Sequence, residues 1–349
     1  MVVLGIETSC DETAAALVDE GLRVRSNVVG SQADVHRPYG GVVPEIAARA
    51  HIDLLLPVLD RALVEGGCTY EDVEAVAVTV GPGLVGALLV GVAAAKSLAL
   101  ARGLPLIGVN HLEGHVCAAQ LEFGPLQPPL VALIVSGGHT SLVLLDQRWR
   151  FHTLGSTVDD AAGEAFDKVA RFIGLAYPGG PEIDRLARDG DPEAIAFPRA
   201  MLGDGSYDFS FSGLKTAVIR ELRRRDAAGQ RIHLPDVAAS FQEAVVDVQV
   251  RKTVAAATDH AVEQVVVVGG VAANSRLRSH MGQACERAGL RLLVPSPGLC
   301  TDNGAMIAAA GWNRLVAGQV SGLDVAVDPS LPLTAATPAP GSSPGPALT

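Results

Sequence analysis

The sequence predicts an α/β protein of two lobes, and three observations carry that expectation. A strand–turn–strand unit occurs twice: VVLGIE–TSCDET–AAALV over residues 2–18 and LVALIV–SGGHT–SLVLL over residues 130–145. Buried-strand runs alternate with long stretches of small residues suited to helices packed closely on a sheet. The chain has 349 residues, 48% hydrophobic and 19% charged, which is too many for one small core.

The elements follow in order. The first hairpin crowds Thr8, Ser9, Asp11, Glu12 and Thr13 into its turn, where hydroxyls, carboxylates and backbone N–H groups can meet an anion or a cation; an ordinary polar hairpin turn explains the same residues. LRVRSNVVG adds a third strand. The loop RPYGGVVPE leads into an amphipathic helix over 45–63. VEAVAVTVGPG reads as a buried strand closed by a Gly-Pro-Gly turn, and a small-residue helix follows over 86–99. PLIGVN is a strand that runs into His111 and His115.

The second half repeats the plan. Two glycines in the turn Ser136-Gly137-Gly138-His139-Thr140 let backbone approach a ligand. DDAAGEAFDKVARFIG is a helix with an apolar stripe of Ala161, Ala165, Val169 and Phe172; Asp160, Glu164 and Asp167 lie on another side. YPGGP ends it and begins a helix carrying Asp184. DFSFSGLKTAV predicts a short strand and another helix start. EQVVVVGGVAANSRLRSHM predicts strand, Gly-Gly turn and helix, with Asn274 placed to cap. RLLVPSPGLCTDNGAMIAAAGW predicts a strand, a Pro-rich loop and a small-residue helix that Thr301, Asp302 and Asn303 precede. From about residue 331 the composition turns to Pro, Ala, Gly, Ser and Thr, and a disordered tail over 331–349 is expected. The expected division is an N-terminal lobe over 1–110, completed by a C-terminal helix over about 302–325, and a C-terminal lobe over 111–301.

His111 and His115 carry the sharpest chemical signal. On a helix, four residues bring side chains back to within about 40° of each other, so both imidazoles can grip one ion. Two ligands leave a coordination sphere unfilled. The spacing alone also fits a pair of helix histidines with no ion.

Composition narrows the function classes. Net charge is −11, from 27 basic against 38 acidic residues, which argues against sequence-wide nonspecific binding to nucleic acid. One basic cluster stands out, Lys215, Arg220, Arg223, Arg224, Arg225 and Arg231, and a solvated helix face explains it equally. The five cysteines are scattered, without CxxC spacing, and read as reduced buried residues. Residues 84–100 are apolar but broken by Lys96 and Ser97, so a buried helix is expected there and no membrane span. The start of the chain has no basic region or cleavage site, so a cytoplasmic protein is expected.

Nine motifs in order then give a resemblance: GIETSCDETAAALV, GPGLVGALLVGVAAAK, NHLEGH, VSGGHT, AGEAFDKVAR, YPGGPEID, FSFSGLKTAV, GGVAANSRLR and TDNGAMIAAAG. Over roughly residues 1–325 the chain resembles the universal tRNA threonylcarbamoyladenosine transferase family, bacterial branch. The resemblance implies a two-lobed actin-like ATPase fold, shared by actin, hexokinase and Hsp70, around a cleft. It implies one divalent metal ion per subunit, iron with zinc as the alternative, held by His111, His115 and Asp302. It places substrate at Ile134, Val135, Ser136, Gly137 and Gly138, with Asp167, Gly180, Asp184 and Asn274. Archaeal and eukaryotic relatives carry a ligating Tyr where this sequence has Ile134. The implied reaction moves the threonylcarbamoyl group from threonylcarbamoyl-AMP to the N6 amine of an adenosine beside the tRNA anticodon, releasing AMP. Asp11 and Glu12 are the acid–base candidates. The implied partners are tRNA, a smaller paralogue of the same fold and a P-loop ATPase, with no membrane.

Other readings were weighed on the residues. A zincin peptidase needs HExxH, but position 112 is Leu, and Glu113 lies about 200° around a helix from His111. A sugar or acetate kinase, an ATPase or a non-catalytic scaffold would share the fold, which does not fix function.

Overall fold

The computed structural model describes residues 1–333. Two five-stranded sheets organise it, and their topologies match. The first has the order β3-β2-β1-β4-β5, built from β1 (Val3–Glu7), β2 (Glu12–Asp19), β3 (Arg23–Ser31), β4 (Ala75–Gly81) and β5 (Leu106–Asn110). The second has the order β10-β9-β6-β7-β8, built from β6 (Leu130–Val135), β7 (Thr140–Leu145), β8 (Phe151–Ser156), β9 (Gln264–Val268) and β10 (Arg291–Leu293). In each sheet an antiparallel three-strand meander is extended by two parallel strands. The repeated hairpin in the sequence is thus the first half of a repeated sheet. Parallel β4 and β9 are buried along their whole length, which is why their sequences are continuous apolar runs instead of alternating ones.

The helix His111–Ala118 is buried at every position. Cys117 and Ala118 pack into the core beside β1 and β4, while Leu112 and Val116 pack with β6 and β9. It therefore lies between the two sheets, at the boundary expected at 110/111. The helix Gly304–Val316 packs on it and on β1, β2, β4 and β5. Glycine is required where that helix begins: a Cβ on Gly304 would lie 2.6 Å from the Ala15 carbonyl carbon. This close approach holds Asp302, two residues earlier, against the first sheet.

Several details differ from the sequence expectations. On the helix Ala162–Phe172 the buried face is Ala162, Ala165, Phe166, Val169 and Ala170; Phe172, at the last turn, is 41% exposed. The stripe is rotated because this helix packs on a helix and a sheet at once, so its apolar arc is wide. Residues 208–211 form only an isolated bridge, Thr157 with Phe209, not a strand. The tail expected from residue 331 lies outside the described residues from 334 onward; Leu333 itself is buried. The helix Val85–Arg102 is long and apolar enough to cross a membrane by composition alone. It lies against β4 and the helix Pro44–Glu65.

Candidate functional site: a histidine–carboxylate cluster at the floor of the interlobe cleft

A cleft of about 620 Å³ runs between the two hairpin turns. The first sheet contributes Ser9, Cys10, Asp11 and Glu12 from the β1–β2 turn; the second contributes Ser136, Gly137, Gly138 and His139 from the β6–β7 turn. The two turns are the equivalent positions of the two repeats, and they face one another across the same space.

His111, His115 and Asp302 meet at the floor, with one ligand atom from each lying within 4.8 Å of the others. His111 Nε2 is 3.6 Å and His115 Nε2 is 3.2 Å from Asp302 Oδ1. Local sequence chemistry places each. Asn110 caps the histidine helix by accepting from Leu112 N at 2.9 Å, which sets its first turn and aims His111 inward. Asn303 caps the helix Gly304–Val316 by accepting from Met306 N at 3.0 Å, so Asp302 sits just before the helix start.

Glu7 stands behind His111 and was not singled out from the sequence. It is fully buried at the end of β1. His111 Nδ1 is 3.2 Å from Glu7 Oε2 and 3.1 Å from Ser9 Oγ. Thr79 Oγ1 donates to Glu7 Oε2 at 2.5 Å, and Ser9 N donates to Oε1 at 2.5 Å.

The electrostatics favour a positive charge at this floor. Burial works against the ionised carboxylates, yet His111 outweighs it and holds Glu7 below the usual range. Asp302 is likewise held well below it, against burial, by His111 and His115. Burial opposes the imidazolium of His111, but Asp302 and Glu7 push its pKa up to about 9. His139, buried beside the two other imidazoles, is pushed down to about 4 and stays neutral. His115 tests the fit to a metal directly. Both ring nitrogens are buried and make no hydrogen bond; Nε2 touches Asp302 at ion-pair distance without hydrogen-bond geometry. A buried imidazole costs free energy when its polar atoms are unsatisfied, and an ion between His111, His115 and Asp302 would satisfy it. The donor set of two His and one carboxylate suits iron(II) or zinc.

The anion-side turn is built tightly. Ser136 N donates to His139 O at 2.8 Å, and His139 N donates to Ser136 Oγ at 3.1 Å. Gly163 N donates to Ser136 O at 3.2 Å, and a Cβ on Gly163 would lie 2.6 Å from that oxygen, so only glycine lets the helix Ala162–Phe172 support the turn this closely.

The other expected residues divide. Asp11, Glu12 and Asp167 line the cleft. Burial raises the pKa of all three; Glu12 reaches about 8, also pushed by Asp11 and Asp302 and opposed by the Ser31 hydroxyl. Asp167 accepts from Gly179 N at 2.6 Å. Ile134 and Val135 are fully buried core residues of β6, paired to β7 on one side with Ile134 also paired to β9, and do not line the cleft. Gly180, Asp184 and Asn274 also lie outside its lining. Asp184 instead accepts from Ser275 Oγ at 2.7 Å, and Asn274 caps the helix Ser275–Ala288. Lys168, Arg171 and Tyr177 line the cleft and were not expected there; no local pattern in the sequence points them inward.

Glu113 does not face the cluster. It is 2% exposed and forms an ion pair with Arg314 of the helix Gly304–Val316, with Nε at 3.1 and 3.2 Å from its two oxygens. That is the geometry the peptidase reading needs it not to have.

The chain matches the family model for TsaD, tRNA N6-adenosine threonylcarbamoyltransferase, over residues 23–309. It is 56% identical over 331 residues to the protein of that name from Moorella thermoacetica, covering 95% of this chain and 97% of the relative. It is 57% identical over 332 residues to the one from Symbiobacterium thermophilum, covering 95% and 97%. Among solved structures, full-length HypF in a phosphate- and nucleotide-bound form superposes with a TM-score of 0.59 at 15% identity, over 89% of this chain and 45% of HypF. A dehydratase activator with bound ADPNP from Clostridium difficile gives 0.52 at 16% identity, over 89% of this chain and 93% of that one. These structures show the fold, the two-lobed actin-like ATPase architecture. The sequence relatives show the family, and the chain belongs to the tRNA N6-adenosine threonylcarbamoyltransferases.

Proposed function

We propose that the chain transfers the threonylcarbamoyl group of threonylcarbamoyl-AMP to the N6 amine of the adenosine beside the anticodon of tRNA. The new bond joins N6 to the carbamoyl carbon; the bond from that carbon to the phosphate oxygen breaks, and AMP leaves with it. The observation that carries the reading is the convergence of His111, His115 and Asp302 with the Ser136–His139 turn in one cleft. A cation-holding floor opposite a glycine turn suits an anionic mixed anhydride: one wall meets its oxygens, the other lets backbone N–H groups approach its phosphate.

The roles of the residues follow from their placement. His111, His115 and Asp302 would hold one divalent ion, iron(II) by donor type. Bound there, it supplies a Lewis acid that gathers and neutralises substrate oxygens. Gly137 and Gly138 present backbone to the phosphate. Asp11 takes the proton from the attacking amine; Glu12 beside it, with its pKa near 8, keeps its own proton at neutral pH. Asp167 fixes the Tyr177–Gly179 turn at the cleft wall. The same reading has the chain acting in the cytoplasm with a smaller paralogue of its fold and a P-loop ATPase.

Transfer to an unmodified tRNA transcript, with AMP release and the modified nucleoside both followed, tests this. The expected result is stoichiometric AMP and modified nucleoside, lost on chelation and restored by iron(II). Chelator-sensitive cleavage of a protein in a pure preparation, with no modified nucleoside under any partner combination, would overturn it.

A further inference from the structure

Charge on this acidic chain is mostly compensated, and the exceptions cluster. On the helix Ser212–Ala227, Lys215 is held by Asp160 at 2.9 Å. Arg224 and Arg225 are both taken by Glu221, at 2.8 and 2.7 Å. Arg220 and Arg223, three residues apart and so neighbours on one helix face, are exposed and make no ion pair among the described residues. The basic cluster in the sequence is therefore two arginines with charge to spare, not six cations in a row.

Those two arginines stand beside the mouth of the cleft. The guanidinium of Arg223 lies over the ring of Phe172, 5.9 Å from its centroid. Phe172 ends the helix Ala162–Phe172 and is 41% exposed. Arg171, next to it, lines the cleft and is also without an ion pair among the described residues. Its Cδ would be 3.3 Å from a Cβ on Gly40, so the side chain reaches from the second lobe to the loop of the first. In that loop Tyr39 is 59% exposed. Among the described residues three aromatic side chains are exposed, Tyr39, Phe123 and Phe172, and two of the three flank Arg171.

Exposed rings interleaved with unpaired arginines at the lip of a cleft suit an unpaired nucleic-acid strand. Bases splayed from a loop stack on aromatic rings and guanidinium planes, and phosphates meet the remaining cations. A duplex keeps its bases stacked on each other and offers only its backbone. We propose that the lip formed by Tyr39, Arg171, Phe172, Arg220 and Arg223 receives the single-stranded loop that carries the reacting adenosine. Phosphates lie on Arg171 and Arg220, and a base stacks against the Phe172–Arg223 pair. The proposal rests on the transfer reading, since it names where that reaction's RNA substrate enters.

The test uses the full chain loaded with iron(II), with every partner protein that transfer requires, and an unmodified tRNA transcript at varied salt. R220A/R223A is expected to raise KM for tRNA about tenfold while kcat at saturating tRNA stays within about twofold. Its plot of log affinity against log salt should flatten by about one unit for each arginine removed. F172L should raise KM without changing that slope, and F172W should restore it. A hairpin with an open loop should compete with tRNA better than duplex RNA of the same length, and F172L should lose that preference. Parental KM and salt slope in R220A/R223A, while the parent is active, would overturn the proposal and leave the transfer reading standing. So would loss of binding to a partner protein with tRNA affinity unchanged, which would make the lip a protein interface. A parent that modifies no transcript in any assembly sinks the transfer reading itself, and this surface with it.

Discussion

His111 Nδ1 faces Glu7 Oε2 at 3.2 Å, so the imidazole that turns Nε2 toward Asp302 is held from behind by a buried carboxylate. A neutral histidine has one N–H; donated from Nδ1 to Glu7, it leaves the Nε2 lone pair for an ion. Glu7 is itself oriented by Ser9 and Thr79 and cannot turn away. Glu7→Gln keeps the shape and removes the charge. Affinity for iron(II) should fall about 10- to 100-fold, read by competition with a chromophoric chelator, while far-UV circular dichroism stays parental. Unchanged affinity would mean that Glu7 only fills space.

Gly137 and Gly138 are exposed to the cleft, and a Cβ at either would meet nothing within 4 Å. Substitution by Val should therefore leave thermal stability near parental while blocking the backbone approach that a bound phosphate needs. Gly163 is the contrast. Its missing Cβ is the gap through which Ser136 O is reached, so Gly163→Ala should lower the melting temperature as well as adenylate binding. Calorimetric titration with a non-hydrolysable adenylate analogue separates the two cases. Full affinity in Gly138→Val would remove the turn from the site.

Much of this was legible in the sequence because the signals were local. The two hairpins repeat in type and composition, and their turns do face each other. The pair His111 and His115 needed only helical spacing. Asp302 lies almost two hundred residues away and came only from the family resemblance. Glu7 was invisible for a physical reason: a carboxylate at the end of an apolar strand looks like the start of a turn, and its partners Thr79 and His111 are 72 and 104 residues distant. Ile134 and Val135 failed the other way, since they adjoin the turn in sequence but belong to the centre of a sheet. Phe172 fits its helical stripe by angle, yet the helix ends there and nothing covers it. Arg220 and Arg223 could not be told from Arg224 and Arg225 until Glu221 was seen to choose the latter.

Glu113 and Arg314 form a nearly dry ion pair between two core helices, and Arg314 also donates to Gly108 O at 3.2 Å. Breaking a buried pair leaves one charge uncompensated and costs about 3 kcal/mol. Glu113→Gln should therefore lower the urea midpoint clearly. Its metal content, by elemental analysis, should match the parent, because the carboxylate faces the helix Gly304–Val316 and not the cluster. A zincin-like role predicts the reverse: full stability, and loss of a proteolytic activity. We expect no such activity in the parent, measured on unfolded casein with the ion loaded.

Glu12 gives a dependence on pH with a definite sign. Its carboxyl is lifted from the ordinary 4.5 to about 8, first by burial and then by Asp11 and Asp302, against the Ser31 hydroxyl that donates to Oε1 at 2.9 Å. Its other oxygen is buried with no hydrogen bond. The folded chain therefore binds this proton more tightly than the unfolded chain. That contribution to stability is complete below about 4.5 and is lost as pH rises through about 8. Each unit of difference is worth about 1.4 kcal/mol, so the total is a few kcal/mol at most. Glu12→Gln has no proton to lose. In chelated protein, the melting temperatures of parent and variant should lie close together near pH 5, and the variant should pull ahead steadily toward pH 9. Transfer at pH 7 should survive the substitution, since the parent carboxyl is already neutral there, whereas Asp11→Asn should abolish it. A parent–variant difference that stays flat from pH 5 to 9 would place an ordinary, ionised carboxylate at position 12 and return the acid–base role to both residues.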